Sequence, residues 1–113
     1  MRFKPYRENV ENGSYTPCTP NEATHVYFET PFGVTRRMIP ITFGSSAIKG
    51  KWWWNGDVDR PTMKPSIKND FKPHDPLVDH IVITDGRVHY CSDCSHEAAG
   101  QTHDLITLEQ KLP

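Results

Sequence analysis

The clearest alternation of apolar and polar positions runs through two short stretches separated by Asp85-Gly86. In Ile81-Val82-Ile83-Thr84 and Arg87-Val88-His89-Tyr90, side chains that alternate along a strand put Ile81, Ile83, Val88 and Tyr90 on one face. His80, Val82, Thr84, Arg87, His89 and Cys91 fall on the other. Asp and Gly tolerate the positive φ that a type I′ turn demands, so the pattern predicts a hairpin. With a two-residue loop, Thr84 faces Arg87, Val82 faces His89 and His80 faces Cys91, opposed Cβ atoms lying about 4.5–5.5 Å apart. A three-residue loop with a bulge is the alternative, and it sets Asp79 rather than His80 against Cys91.

Elsewhere the pattern is weaker. Thr24 to Glu29 is aromatic and β-rich, Pro31-Phe32-Gly33 turns the chain, and Val34 to Thr42 reads as a second strand with Pro40 at an edge or bulge. Residues 1–22 carry Pro5, Gly13, Pro17 and Pro20 without a period of 2 or 3.6, which predicts an extended arm. Gly44 to Gly50 is expected as a loop. Trp52-Trp53-Trp54 must point to alternating faces of a strand, and Asn55-Gly56 turns the chain again. The prolines of Arg60-Pro61-Thr62 and Lys64-Pro65-Ser66-Ile67 are incompatible with helix or central strand, so an ordered extended loop is expected, and Asn69 to Pro76 reads as loop too. Ser95 to Gly100 resembles one helical turn stopped by glycine. Leu105 to Leu108 is expected as a last short strand, and residues 109–113 as a frayed tail. The fold expected is mainly β: a small sandwich or partly open barrel over residues 23–108, with a C-terminal hairpin and one short helical turn.

Composition narrows the possible jobs. A chain of 113 residues supports one modest core, and 17 glycines and prolines suit a loop-rich domain. The net charge of −1 offers no general footprint for duplex nucleic acid. No apolar run is long enough for a membrane span and no secretory signal is evident, so a cytoplasmic protein is expected.

Three cysteines do not make a disulfide framework, and Cys91-x-x-Cys94 in a reducing compartment points to metal chemistry. His80, brought opposite Cys91, and Cys91-x-x-Cys94-x-His96 together suit a tetrahedral Zn²⁺ held by His80, Cys91, Cys94 and His96. The competing reading makes the cysteines small buried hydrophobes and the histidines hydrogen-bonded surface groups. Cys18 is an incidental thiol or a replacement ligand. With only three ligands the metal would keep a water, and Glu97 or Asp93 would act as general base of a hydrolase. The bland reading of Glu97 is a solvated turn residue.

The block from Trp52 to Ser66 suggests a binding module. Indoles of Trp52 and Trp54 could stack on a planar ligand while Asn55, Asp57, Arg60, Thr62 and Ser66 supply directional hydrogen bonds. Alternatively the tryptophans fill the core and the polar groups satisfy turns.

The sequence Trp52-x-x-Asn55-Gly56-Asp57-x-x-Arg60-Pro61-Thr62-Met63-x-Pro65-Ser66, followed by a His-x-x-x-Thr-Asp-Gly-Arg hairpin and by Asp93-Cys94-Ser95-His96-Glu97-x-Ala99-Gly100-Gln101-Thr102, resembles a small domain family of unknown function. Its members are common in bacteriophages and prophages and are often labelled "ammonia monooxygenase". The resemblance covers Ala23 to Leu108. It implies a phage setting, and it carries over His80, Cys94 and His96 as ligands. Cysteines usual in that family are missing at Glu29 to Gly33 and at Asp79, while Cys91 replaces an apolar residue. The resulting expectation is a zinc-stabilised accessory domain, leaning to binding rather than catalysis. It would bind a small molecule such as a nucleotide, or a host protein in counter-defence, with homo-oligomerisation left open. A metal-dependent hydrolase is the alternative.

Overall fold

The computed structural model describes residues 3–44 and 49–105. Among these, ten strands follow in order: β1 Lys4–Glu8, β2 Tyr15–Pro17, β3 His25–Glu29, β4 Arg36–Thr42, β5 Trp52–Trp54, β6 Met63–Lys64, β7 Ile67–Asp70, β8 Val78–Thr84, β9 Arg87–Tyr90 and β10 Thr102–Asp104. They form a six-stranded sheet in the order β2-β1-β3-β4-β5-β6 and a four-stranded sheet in the order β10-β9-β8-β7. The fold is mainly β, as expected, with two sheets and no closed barrel.

Both sheets bury one shared core. Val26 and Phe28 alternate inward on β3, Ile81 and Ile83 on β8, and Val88 and Tyr90 on β9. Phe3 stacks on Phe28 at 4.3 Å and lies 6.3 Å from Trp54. Residues 1–22, expected as an extended arm, join the sheet instead where described, β1 pairing with β3 and β2 with β1 across a tight turn. Single-chain periodicity could not announce this, because Lys4–Glu8 carries only half-buried and exposed side chains and takes its hydrogen bonds from its neighbours.

The hairpin has the two-residue turn. Asp85 and Gly86 have φ of 49° and 76°, and Ile81↔Tyr90, Val82↔His89, Ile83↔Val88 and Thr84↔Arg87 are partners. Continuing that ladder, the Cys91 N–H donates to the His80 carbonyl at 2.8 Å, so the bulged register does not occur.

The proline-rich stretch near residue 65 is where the chain leaves one sheet for the other. β6 ends the six-stranded sheet and β7 ends the four-stranded one, so both are edge strands, a place proline allows. The expected loop over Asn69 to Pro76 therefore begins as strand, with Asn69 and Asp70 paired to Asp79 and Val78. Ser95 to Gly100 forms successive tight turns, closed by Ala99 N–H to His96 O and Gln101 N–H to Ala98 O. A short 3₁₀ turn is found instead at Pro20–Glu22. The expected strand beyond Leu105, the tail 109–113 and residues 45–48 of the expected loop lie outside the described residues.

Candidate functional site

Three side chains from three successive pieces of chain meet on the outer face of the four-stranded sheet. Lys68 on β7 is the register partner of His80 on β8. Ser66 stands two residues before Lys68, directly ahead of β7, and diagonal neighbours across a strand pair are within reach of a long side chain. Ser66 Oγ lies 2.9 Å from His80 Nε2. The other imidazole nitrogen, Nδ1, lies 3.0 and 3.1 Å from the two carboxylate oxygens of Asp93. Asp93 is delivered by the turn after β9, in which the Cys94 N–H donates to Cys91 O at 3.1 Å.

This arrangement is hydroxyl, imidazole and carboxylate in line. With Nδ1–H donated to Asp93, Nε2 is the unprotonated nitrogen and accepts the Ser66 hydroxyl. The hydrogen bond from His80, reinforced by the Lys68 ammonium 3.2 Å away, holds the Asp93 carboxyl below its ordinary range despite 44% side-chain exposure. Asp93 is therefore anionic at neutral pH and sets the imidazole tautomer.

Supports come from both sheets. The Trp52 indole N–H donates to the Ser66 carbonyl at 3.2 Å and so ties β5 to the hydroxyl-bearing residue. Cys94 Sγ accepts from the His80 N–H at 3.2 Å and lies 3.3 Å from the His80 carbonyl, which clamps the Asp93 turn against β8. Ser95 fastens the same turn one step further along, its N–H reaching Val78 O at 2.9 Å and its Oγ accepting from Val78 N–H at 2.7 Å.

The four residues expected to share one zinc are distributed over two groups. His80 and Cys91 lie with Asp93, and Cys94 and His96 lie with Asp79; in each group the potential ligand atoms are within 4.8 Å of one another and could hold a metal ion. Burial, followed by the nearby Asp93 and Cys94, pushes the Cys91 thiol up, and burial does the same for Cys94. Both thiols are protonated at neutral pH, the wrong state for a nucleophile.

The second histidine–aspartate pair is built differently. His96 Nε2 meets Asp79 Oδ1 at 2.7 Å, while His96 Nδ1 accepts the Ala98 N–H at 3.3 Å, so both nitrogens are engaged inside the protein. Asp79, fully buried, also accepts from Arg37 Nη2 and, at 3.3 Å, from the Val34 N–H. Arg37 in turn donates to Val34 O at 2.6 Å and Thr30 Oγ1 at 3.2 Å. This buried network bolts the β3–β4 turn of one sheet to β8 of the other. It has no hydroxyl poised on a free imidazole nitrogen.

The residues expected to bind a planar ligand also part company. Trp54 is fully buried and cannot stack on a ligand, and Trp52 is half-buried beneath Ser66. Asn55 donates to Arg60 O and accepts from the N–H groups of Asp57 and Thr62, and Asp57 accepts from those of Asp59 and Arg60. Thr62 Oγ1 accepts the Asp85 N–H at 2.9 Å, and Arg60 pairs with Asp85 at 3.6 Å. The loop thus spends these groups on its own shape and on seating the hairpin tip. Glu97 is exposed, and its backbone carbonyl accepts from Gln101. Cys18 is half-buried against the core, far in sequence from either group.

Ser66, His80 and Asp93 were each conspicuous in the sequence, but in three separate roles: binding residue, metal ligand and alternative base. The signal that joins them is the β7–β8 pairing, which the prolines conceal.

No curated protein and no solved structure matches the sequence. A family model does match, over residues 3–91, a span that takes in nine of the ten strands with Ser66 and His80 and stops two residues short of Asp93. This agrees with the expected small bacterial or phage-associated domain family at that coarse level. Covering most of the chain and both sheets, the match places this protein in the family described as bacterial ubiquitination-like system serine protease (BubE).

Proposed function

We propose that this protein is a serine peptidase of a bacterial ubiquitination-like system, with Ser66 as nucleophile, His80 as general base and Asp93 as the group that orients the imidazole. The observation that carries the reading is the continuous Ser66 Oγ–His80 Nε2 and His80 Nδ1–Asp93 contact at 2.9 and 3.0 Å. It departs from the accessory binding domain expected from sequence. Counter-defence and small-molecule binding have no comparable support, because the polar loop proposed for them is committed internally.

The geometry performs acyl transfer as follows. Ser66 Oγ attacks a peptide carbonyl while its proton passes to His80 Nε2. Asp93 stabilises the imidazolium through Nδ1–H. Collapse of the tetrahedral adduct breaks the C–N bond, His80 returns the proton to the leaving amine, and the peptide's acyl half remains as an ester on Ser66. Water, deprotonated by His80, then releases the acid and restores the hydroxyl. Lys68 keeps the Asp93 carboxylate facing β8 and lowers the cost of its charge.

The test is active-site labelling with a fluorophosphonate followed by peptide mass mapping. The expected adduct sits on Ser66, and Ser66→Ala and His80→Ala lose it while their circular dichroism stays that of the wild type. A folded wild-type protein that takes no label, or label that persists in Ser66→Ala, overturns the assignment.

A further inference from the structure

Around His80 a second chemistry is available. The hairpin register sets His80 opposite Cys91, and the following turn brings Asp93 back over the same strand end, so that one ligand atom from each of the three lies within 4.8 Å of the others. A thiolate, an imidazole and a carboxylate are donors that Zn²⁺ accepts together, and three protein ligands leave the fourth tetrahedral position to water. The other group is a poorer host. One oxygen of Asp79 is occupied by the Arg37 guanidinium, a fixed positive charge that repels a cation.

We infer that a divalent cation of the Zn²⁺ class binds His80, Cys91 and Asp93 and reversibly switches off the hydrolase; the switching half of this inference rests on the Ser66–His80–Asp93 reading above. Both imidazole nitrogens of His80 are already committed, Nε2 to Ser66 and Nδ1 to Asp93. Ligation through Nε2 removes the base, and ligation through Nδ1 removes the orienting hydrogen bond. Either way the triad cannot hold the metal and act at once. Cys91 contributes nothing to acyl transfer, so it is the residue that would make the site metal-sensitive. Lys68, 3.2 Å from Asp93, competes with the cation for the same carboxylate.

The experiment uses the full chain, stripped of metal, titrated with Cd²⁺ and read by thiolate-to-metal charge-transfer absorption. Zn²⁺ is followed by competition with a chromophoric chelator, and Ser66 by its rate of fluorophosphonate labelling. The expected result is one ion per chain, with Zn²⁺ slowing the labelling and a chelator restoring it. Cys91→Ala should weaken binding by more than the roughly 10–100-fold caused by losing a supporting partner, and Zn²⁺ should no longer slow its labelling. Cys91→Ser serves if the alanine variant does not fold. Lys68→Met should bind more tightly. Ser66→Ala, which lacks the nucleophile, should bind Cd²⁺ as the wild type does, so the metal site is measured whether or not the protein is a hydrolase. Wild type and Cys91→Ala responding alike, or binding that vanishes in Cys94→Ala but survives in Cys91→Ala, overturns the inference.

Discussion

Asp93, the carboxylate of the proposed triad, is 44% exposed, and its exposure sets what a substitution there should do. Water competes for the His80 Nδ1 proton, so orientation depends on the paired carboxylate and on Lys68. Replacing Asp93 with Asn makes the amide choose between two tautomers of His80, and the rate of Ser66 labelling should fall about 10²–10⁴-fold without loss of fold. The same residue carries a pH signature. Its folded-state pKa is depressed, so the stability it contributes is fully present above the ordinary aspartate value of about 3.9 and is lost as pH falls through the lower folded value. In urea titrations, the stability gap between wild type and Asp93→Asn should shrink as pH falls below about 3.9. A gap that stays unchanged well below that pH would mean that Asp93 is not paired as described. At Gly33, with φ of 67°, an added Cβ would sit on the Asp79 carboxylate and 2.8 Å from His96 Nε2. Gly33→Ala should therefore destabilise by at least about 1–3 kcal/mol, seen as a lower urea midpoint.

At the scale of elements, two contacts between sheets carry distinct jobs. Arg37 and Asp79 join β4 to β8 in the interior, and Arg37→Met strands a buried carboxylate, for an expected loss of about 3–5 kcal/mol. The Trp52–Ser66 hydrogen bond joins β5 to the start of β7 near the surface. Trp52→Phe should cost only about 0.5–1.5 kcal/mol yet slow the labelling of Ser66, because the nucleophile's backbone loses its anchor. A change in stability without a change in labelling would make that contact purely structural. These elements also explain what the sequence could reveal. The β8–β9 hairpin was legible in its faces, from the alternation of Ile81, Ile83, Val88 and Tyr90, while its two-residue turn was one of two registers left open and β8 starts earlier, at Val78. β7 was not legible, because Pro65 and Pro73 bracket it and its side chains Lys68 and Asp70 are exposed. Without β7 there is no cross-strand neighbour for His80 except Cys91, and a metal was the natural reading of that pair. Arg37 gave no sign of burial either: its partner lies 42 positions away, and only the packing of two sheets brings them together.

At the scale of the whole molecule, one core holds both sheets, and its N-terminal member is Phe3. Stacked on Phe28 and packed toward Trp54, it closes the middle of the domain. Phe3→Ala should cost about 3–5 kcal/mol in a denaturant titration, as a core truncation does and an arm residue does not. The triad, in contrast, draws all three of its side chains from the continuous run between Ser66 and Asp93, through β7, β8 and β9. Those strands are joined by neighbour-to-neighbour connections, so the loop-closure entropy of bringing them together is small. The larger sheet adds a parallel β4–β5 pairing and takes β1 against β3. The proposed catalytic geometry is thus encoded in one continuous run of sequence. A segment carrying only that run would hold the proposed nucleophile and base but not the Trp52 anchor, which the other sheet supplies.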